Sequence, residues 1–255
     1  MKQEISLDHW TTLFLLASVQ GLFLAFILLM HKKGNIRATK LLGLDILFFS
    51  FTLLYYVAYW TGFATRYVWV NGWTGPLVFL YGPLTYFYLK ELEQPSLTKK
   101  RLLHLVPFAL NCIWMIPFVI RNVFGRVEWL RIHFFRYGEI VDPVSRMWII
   151  LSNVSLVGYA IAMHLFLKQD KEQLNKFASK EEISKHTWLK KVVWFYSGFV
   201  IASASYWILA WTGVLELQYD YLISVTMSAF IYMVGYLGFR QPEIFHGYYT
   251  SSEHF

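Results

Sequence analysis

Residues 11–30 read TTLFLLASVQGLFLAFILLM, and His31, Lys32 and Lys33 follow directly. A stretch of about 20 uncharged, mostly apolar residues rising 1.5 Å each matches a hydrocarbon core about 30 Å thick. The run is too long for the core of a secretory signal and lacks a convincing small-residue cleavage site, so it reads as a retained helix. Comparable runs occupy about 41–62, 68–89, 103–120, 147–167, 192–212 and 219–239. The expected fold is therefore all-α, a polytopic membrane bundle of seven transmembrane helices over residues 1–245, with a tail at 246–255. The third run is the most interrupted, carrying Asn71, Gly72, Gly75, Pro76, Gly82 and Pro83. It is nonetheless apolar and aromatic through Leu77–Leu89, and without it the alternation of charge described next would break.

Orientation follows from lysine and arginine in the connections, which favour the cytoplasmic side. With the N-terminus outside, the inner segments hold 16 of the 23 basic residues and the outer segments 7. Every lysine except Lys2 falls inside. Trp10, Trp60, Trp69, Trp73, Trp129, Trp148 and Trp211 gather at the opposite ends, where amphipathic rings suit the lipid–water boundary. The C-terminus is then expected in the cytoplasm, and the location is a bacterial inner membrane.

Composition agrees. Charged residues are 15% of the chain, against about 25% in soluble domains. The net charge of +7 lies between apolar spans rather than along one helix face, which favours the lipid bilayer over nucleic acid as the partner. Cys112 is the single cysteine, which excludes an intrachain disulfide and a cysteine-rich zinc site. The last span has no lysine for a retinal Schiff base, and no HExxH, Gly-x-Ser-x-Gly or Walker pattern occurs. We expect no enzyme activity, no catalytic residues, no metal and no cofactor.

Two connections are long. The outer one, 121–146, places Trp129, Leu130, Ile132, Phe134 and Phe135 among charges and suggests a short helix lying in the headgroups. Arg131, His133, Arg136 and Glu139 there suggest an anion clamp or, more simply, ordinary headgroup-facing charges. The inner one, 168–191, is a lysine–glutamate mixture that reads as a solvated helix extending the sixth span.

Polar residues within the spans form three sets. Gln20, Tyr55, Tyr56, Asn153, Ser203, Ser205, Ser224 and Thr226 lie at similar depth in the outer half. Facing one another, they would make a ligand pocket with apolar walls and a few convergent polar groups. Taken singly, each serves equally well as a helix–helix hydrogen bond or a small packing residue. Asp45, with His104 and His164 near the inner rim, forms a candidate coupling cluster. A carboxylate in lipid costs roughly 2.5–3.5 kcal/mol at mid-membrane. Asp45 sits only about 6 Å from the inner boundary, at 1.5 Å per residue, so separate rim residues reaching water are the alternative. Gly75-Pro76 and Gly82-Pro83 are a candidate hinge, because proline removes a backbone donor and clashes with the preceding turn; a fixed kink is the other reading.

Several short patterns occur in order along the chain. They are LYGPLTYFY (80–88), HLVPF (104–108), WLKK (188–191) and IYMVGYLGFRQPEIF (231–245). Together they resemble the multi-pass N-terminal membrane region of membrane-bound AraC-type transcriptional regulators of Bacteroidetes-type bacteria. The resemblance implies a sensor whose helix bundle passes a small-molecule or membrane signal to a cytoplasmic helix-turn-helix domain, and it makes a homodimer plausible. The tail HGYYTSSEHF has no basic recognition helix, so this chain is not expected to bind DNA directly. Its output would lie beyond Phe255 or in a partner protein. The alternatives are a small-molecule transporter or channel, and a structural membrane subunit.

Overall fold

In the computed structural model, the described residues are 6–93, 99–124, 135–136, 139–140, 143–174, 179–216 and 220–240. Seven principal helices occupy them: α1 (His9–Met30), α2 (Ile36–Trp60), α3 (Val78–Glu93), α4 (Val106–Val123), α5 (Pro143–Leu174), α6 (Lys180–Trp211) and α7 (Tyr221–Arg240). Six of the spans are long and apolar enough to cross a membrane. The exception is α3, the helix of the interrupted third run. Only 16 residues are α-helical there, about 24 Å at 1.5 Å each, because Gly72 takes φ +95° and Gly75–Leu77 forms a 3₁₀ turn before the helix starts. The expectation of a continuous helix over 68–89 is corrected to that extent.

Helix ends follow local chemistry. Asp8 caps α1 in a reciprocal box with Thr11, and the amide and hydroxyl donated by Thr11 hold the Asp8 carboxyl below its usual range. Ser179 and Glu182 form the same box at the start of α6. Helices α2 and α6 both end two residues before a glycine in the left-handed region, Gly62 (φ 78°) and Gly213 (φ 74°), where a Cβ would be strained.

Helix α2 is the central element, packed on α1, α3 and α7. Leu42, Ile46, Phe49, Leu53 and Val57 recur at intervals of three or four, so they form one buried face. The outward faces are apolar too: Leu16, Phe23, Ile113, Val154, Leu165, Trp194 and Ile201 are all exposed. A soluble monomer does not normally present such continuous apolar surface. Together with the six spans, it identifies a multi-pass membrane protein.

Lipid supplies no hydrophobic drive between helices, so contact depends on close packing and polar links. A Cβ at Gly21 would overlap Ser50 Oγ and touch Ile231, and one at Gly82 would overlap the Tyr159 ring. These glycines let α1 meet α2 and α7, and let α3 meet α5. Polar links add to them. The Trp188 indole N–H donates to Tyr88 Oη at 2.6 Å, joining α6 to α3 with both side chains buried.

The two ends of the bundle differ in chemistry. At one end, buried Glu91 pairs with Arg101 at 2.8 Å and more distantly with Arg37 at 3.9 Å, and Lys185 pairs with Glu93 at 3.0 Å. Asn35 Nδ2 donates to the Glu91 carbonyl at 2.9 Å. At the other end, Phe14 stacks on Tyr221, and both rings meet Trp60 at a tilt, Tyr221 with its centroid 4.6 Å from that of Trp60. In the long connection, Phe135–Arg136 pairs antiparallel with Glu139–Ile140, with Arg136 opposite Glu139. The suggested headgroup helix therefore does not include these four residues; Arg131 and His133 lie outside the described residues, as do residues 175–178 and the tail 246–255.

Two outcomes test this packing. Gly82→Ala should lower stability by about 1–3 kcal/mol through overpacking, whereas Gly158→Ala, whose Cβ meets nothing within 4 Å, should not. Thermal unfolding of both variants in one detergent measures the contrast. Glu91→Gln should cost about 3 kcal/mol in the same assay, since it leaves the Arg101 side chain, 16% exposed, without its carboxylate.

Candidate functional site

Toward the aromatic end, helices α2 to α6, with α7 and the residue before it, line a shared cavity of about 380 Å³. From α2 come Thr52, Tyr55, Tyr56 and Tyr59, at offsets 0, 3, 4 and 7. From α4 come Asn111, Trp114, Met115 and Phe118, and from α5 Ser145, Trp148, Ile149 and Ser152, at the same offsets. That spacing places four side chains on one helix face. Helix α6 adds Phe199, Ser203, Tyr206 and Trp207, α3 adds Val78, Phe79 and Tyr81, and Asp220, Ile223 and Met227 come from α7 and the residue before it. The size and mixture suit a small organic ligand, for which sites of about 300–1,000 Å³ with apolar walls and few polar groups are usual.

The segment between α2 and α3 lines the cavity with Gly72, Thr74 and Gly75. It is pinned by Asn71, whose Oδ1 accepts from Tyr55 Oη at 3.0 Å while its Nδ2 donates to the Ala64 carbonyl at 3.0 Å. Asn122 Nδ2 in α4 donates to the Asn71 carbonyl at 2.9 Å. The opposite side is aromatic. Tyr81, hydrogen-bonded to Thr52, stacks on Phe49 at 4.3 Å, and Phe199 meets Phe49 edge-on at 5.0 Å. Phe230 of α7 completes this cluster at 5.2 Å from Phe49. Tyr81 and Phe199 thus belong both to the cavity wall and to the core.

Of the pocket residues expected from sequence, Tyr55, Tyr56 and Ser203 line this cavity. Asn153 sits directly behind it, its Oδ1 accepting from Ser203 Oγ at 3.1 Å. Ser205, Ser224 and Thr226 do not line it: Thr226 bonds back to its own helix and Ser224 is fully buried. Gln20 is exposed on α1, a helix that lends the cavity no residue, and its amide lies by Gly235. The set was chosen by depth along the helices, whereas lining depends on which side of the helix a residue occupies. Asp220, Trp148, Tyr206, Trp207 and the α4 stripe were missed for that reason; Asp220, an acid at the very start of the last apolar run, was the one legible signal.

The three inner residues do not form a cluster. Asp45 is fully buried, and its Oδ2 is 2.6 Å from Thr85 Oγ1, which also lies 2.8 Å from the Tyr81 carbonyl. Thr85 has one hydroxyl proton for these two acceptors, and Asp45 Oδ1 has no partner among the described residues. His104 is exposed, with Nδ1 2.6 Å from Tyr159 Oη. His164, also exposed, has Nε2 2.9 Å from Ser197 Oγ. The coupling cluster is corrected to three separate contacts: Asp45 is buried against Thr85, whereas His104 and His164 are exposed and meet Tyr159 and Ser197. As for the hinge residues, Gly75 and Pro76 form the 3₁₀ turn, while Gly82 and Pro83 lie inside α3, with Gly82 packed on Tyr159. Among the described residues, no group of three or more His, Cys, Asp or Glu is placed to hold a metal ion.

No family model, curated protein or solved structure matches this chain.

Thr85→Val should destabilise the bundle by about 1–3 kcal/mol, because it strips Asp45 of its hydrogen-bond partner. Adding Asp45→Leu should recover most of the loss, since it removes the orphaned carboxylate. Unfolding midpoints of the two single variants and the double variant form the cycle that measures this coupling.

Proposed function

We propose that this chain is a non-enzymatic, signal-receiving domain of a bacterial inner membrane. Its N-terminus lies outside and its C-terminus in the cytoplasm, as the lysine and arginine distribution favours. A small molecule occupies the cavity. The output is a helix-turn-helix domain following Phe255 or carried by a partner protein, in the manner of the AraC-type regulators that the chain resembles.

One observation carries the reading: the cavity wall and the support of the last helix share residues. Tyr81 and Phe199 face the cavity, and both pack on Phe49, which in turn packs on Phe230 of α7. A ligand that favours one placement of Tyr81 or Phe199 therefore biases the seat of α7, the helix that leads to the output. Such a bias needs different affinities for two helix arrangements, not merely tight binding. In this scheme α3 moves about its Gly75-Pro76 turn, and α7 is the output rod.

The same aromatic cluster supports this reading over a carrier or channel. Phe49 and Phe230 are fully buried and fill the bundle on the lysine-rich side of the cavity. The arrangement favours a ligand that enters and leaves by the same end.

A small-molecule screen against the purified chain, read by thermal unfolding, tests the proposal. A ligand at 100 times its Kd should stabilise by about 2.7 kcal/mol. Hits should lose this effect in Ser203→Trp, which fills the cavity, and keep it in Ser205→Trp, which does not. Saturable flux of a hit into liposomes would instead make the chain a carrier.

A further inference from the structure

Among the described residues, Asp220 is the only formally charged side chain lining the cavity. It sits where an N-cap would: its carbonyl accepts from the amides of Ile223 and Ser224, which begin α7. A helix N-terminus explains an acid at this position, but it does not explain where the side chain points. The carboxylate accepts from its own backbone amide and from the Trp60 indole on α2, and the residue is 93% buried at a relative exposure of 7%. Its Oδ1 has no hydrogen-bond partner among the described residues. A buried acceptor left open in this way calls for an occupant, because desolvating it unpaired is costly.

The surroundings define the occupant. Tyr55, Tyr56 and Tyr59 of α2 and Tyr206 of α6 line the same cavity as Asp220. Aromatic faces attract cations through the ring quadrupole, and cages of such rings hold quaternary ammonium groups. A hard metal cation would need six or more oxygen ligands, whereas this wall is mostly rings. Elsewhere in the cavity wall, Met115, Phe118, Ile149 and Phe79 offer an apolar bed.

We propose that the cavity binds a compact organic monocation, a quaternary ammonium or protonated amine on an apolar body, with its charge against Asp220 Oδ1. This identifies the ligand class for the cavity and rests on the reading of that cavity as the signal site. The occupant balances the buried carboxylate, and its apolar body reaches the Tyr81–Phe199 wall.

The test compares benzyltrimethylammonium with its uncharged isostere neopentylbenzene on the purified full chain, read by quenching of tryptophan fluorescence. The cation should bind saturably and at least tenfold more tightly than the isostere. Asp220→Asn should weaken the cation at least tenfold without changing the isostere, and Asp220→Glu should restore part of the loss. Equal affinity for the two probes, or undiminished cation binding by Asp220→Asn, overturns the charge assignment. If the isostere still binds and Ser203→Trp abolishes it, the cavity remains a ligand site of apolar preference. If neither probe binds, both the cation assignment and the ligand-site reading fall. Should Asp220→Asn fail to fold, the wild-type ratio of the two probes decides.

Discussion

Close approach at Gly21 and Gly82 is the constraint on which the rest of the bundle depends. In water, burial of apolar area alone would draw the helices together; in lipid the tails compete on equal terms, and only contact distance and polar links favour association. Gly21 lets α1 lie against Ser50 on α2 and Ile231 on α7. Gly82 lets α3 lie against Tyr159 on α5. With those separations set, the Trp188–Tyr88 and Glu91–Arg101 links fall within hydrogen-bonding range, and α6 and the residues preceding α4 are tied to α3. Many of the hydroxyl groups bond back to their own helices, as Ser50 does to the Ile46 carbonyl, which satisfies them without demanding a partner across the bundle.

The same packing leaves space at one end. Helix α3 begins only at Val78, and the chain before it crosses the aromatic end as short turns held by Asn71. Where a full-length helix would fill the bundle, side chains of α2, α4, α5 and α6 instead face one another across a cavity. The glycine- and proline-rich run that shortens α3 is thus the physical origin of the site. Its lysine-rich side has no such gap, because Phe49, Tyr81, Phe199 and Phe230 interlock there.

Under the function proposed above, a ligand would act on this layout through packing rather than chemistry. The cavity wall carries four serines or threonines on its helices, one carboxylate and many rings, and the rings continue into the core. Interlocked aromatic side chains shift between discrete arrangements rather than deforming smoothly, since protein interiors are close-packed. A ligand that reorients Tyr81 or Phe199 therefore acts directly on the seat of α7.

Apolar run length and the placement of lysine and tryptophan were sufficient, from the sequence, to identify a helical multi-pass membrane protein and to locate six of its spans. These are local properties: a run of 20 apolar residues has the same meaning whatever surrounds it. Depth along a helix was legible in the same way, which is why Tyr55, Tyr56 and Ser203 were found. The side of the helix was not. Ser203 lines the cavity while Ser205, about 200° further round at 100° per residue, does not. Likewise Ser152 faces in and Asn153 sits behind. In a soluble helix a polar face opposite an apolar one would have revealed the orientation, but here lipid-facing and core-facing sides are both apolar and the pattern is erased. Only the tertiary contacts decided which stripe of each helix faces its neighbours. They also separated Asp45, His104 and His164, and they brought Asp220 to the cavity that Tyr55, Tyr56 and Tyr59 of α2 and Tyr206 of α6 line.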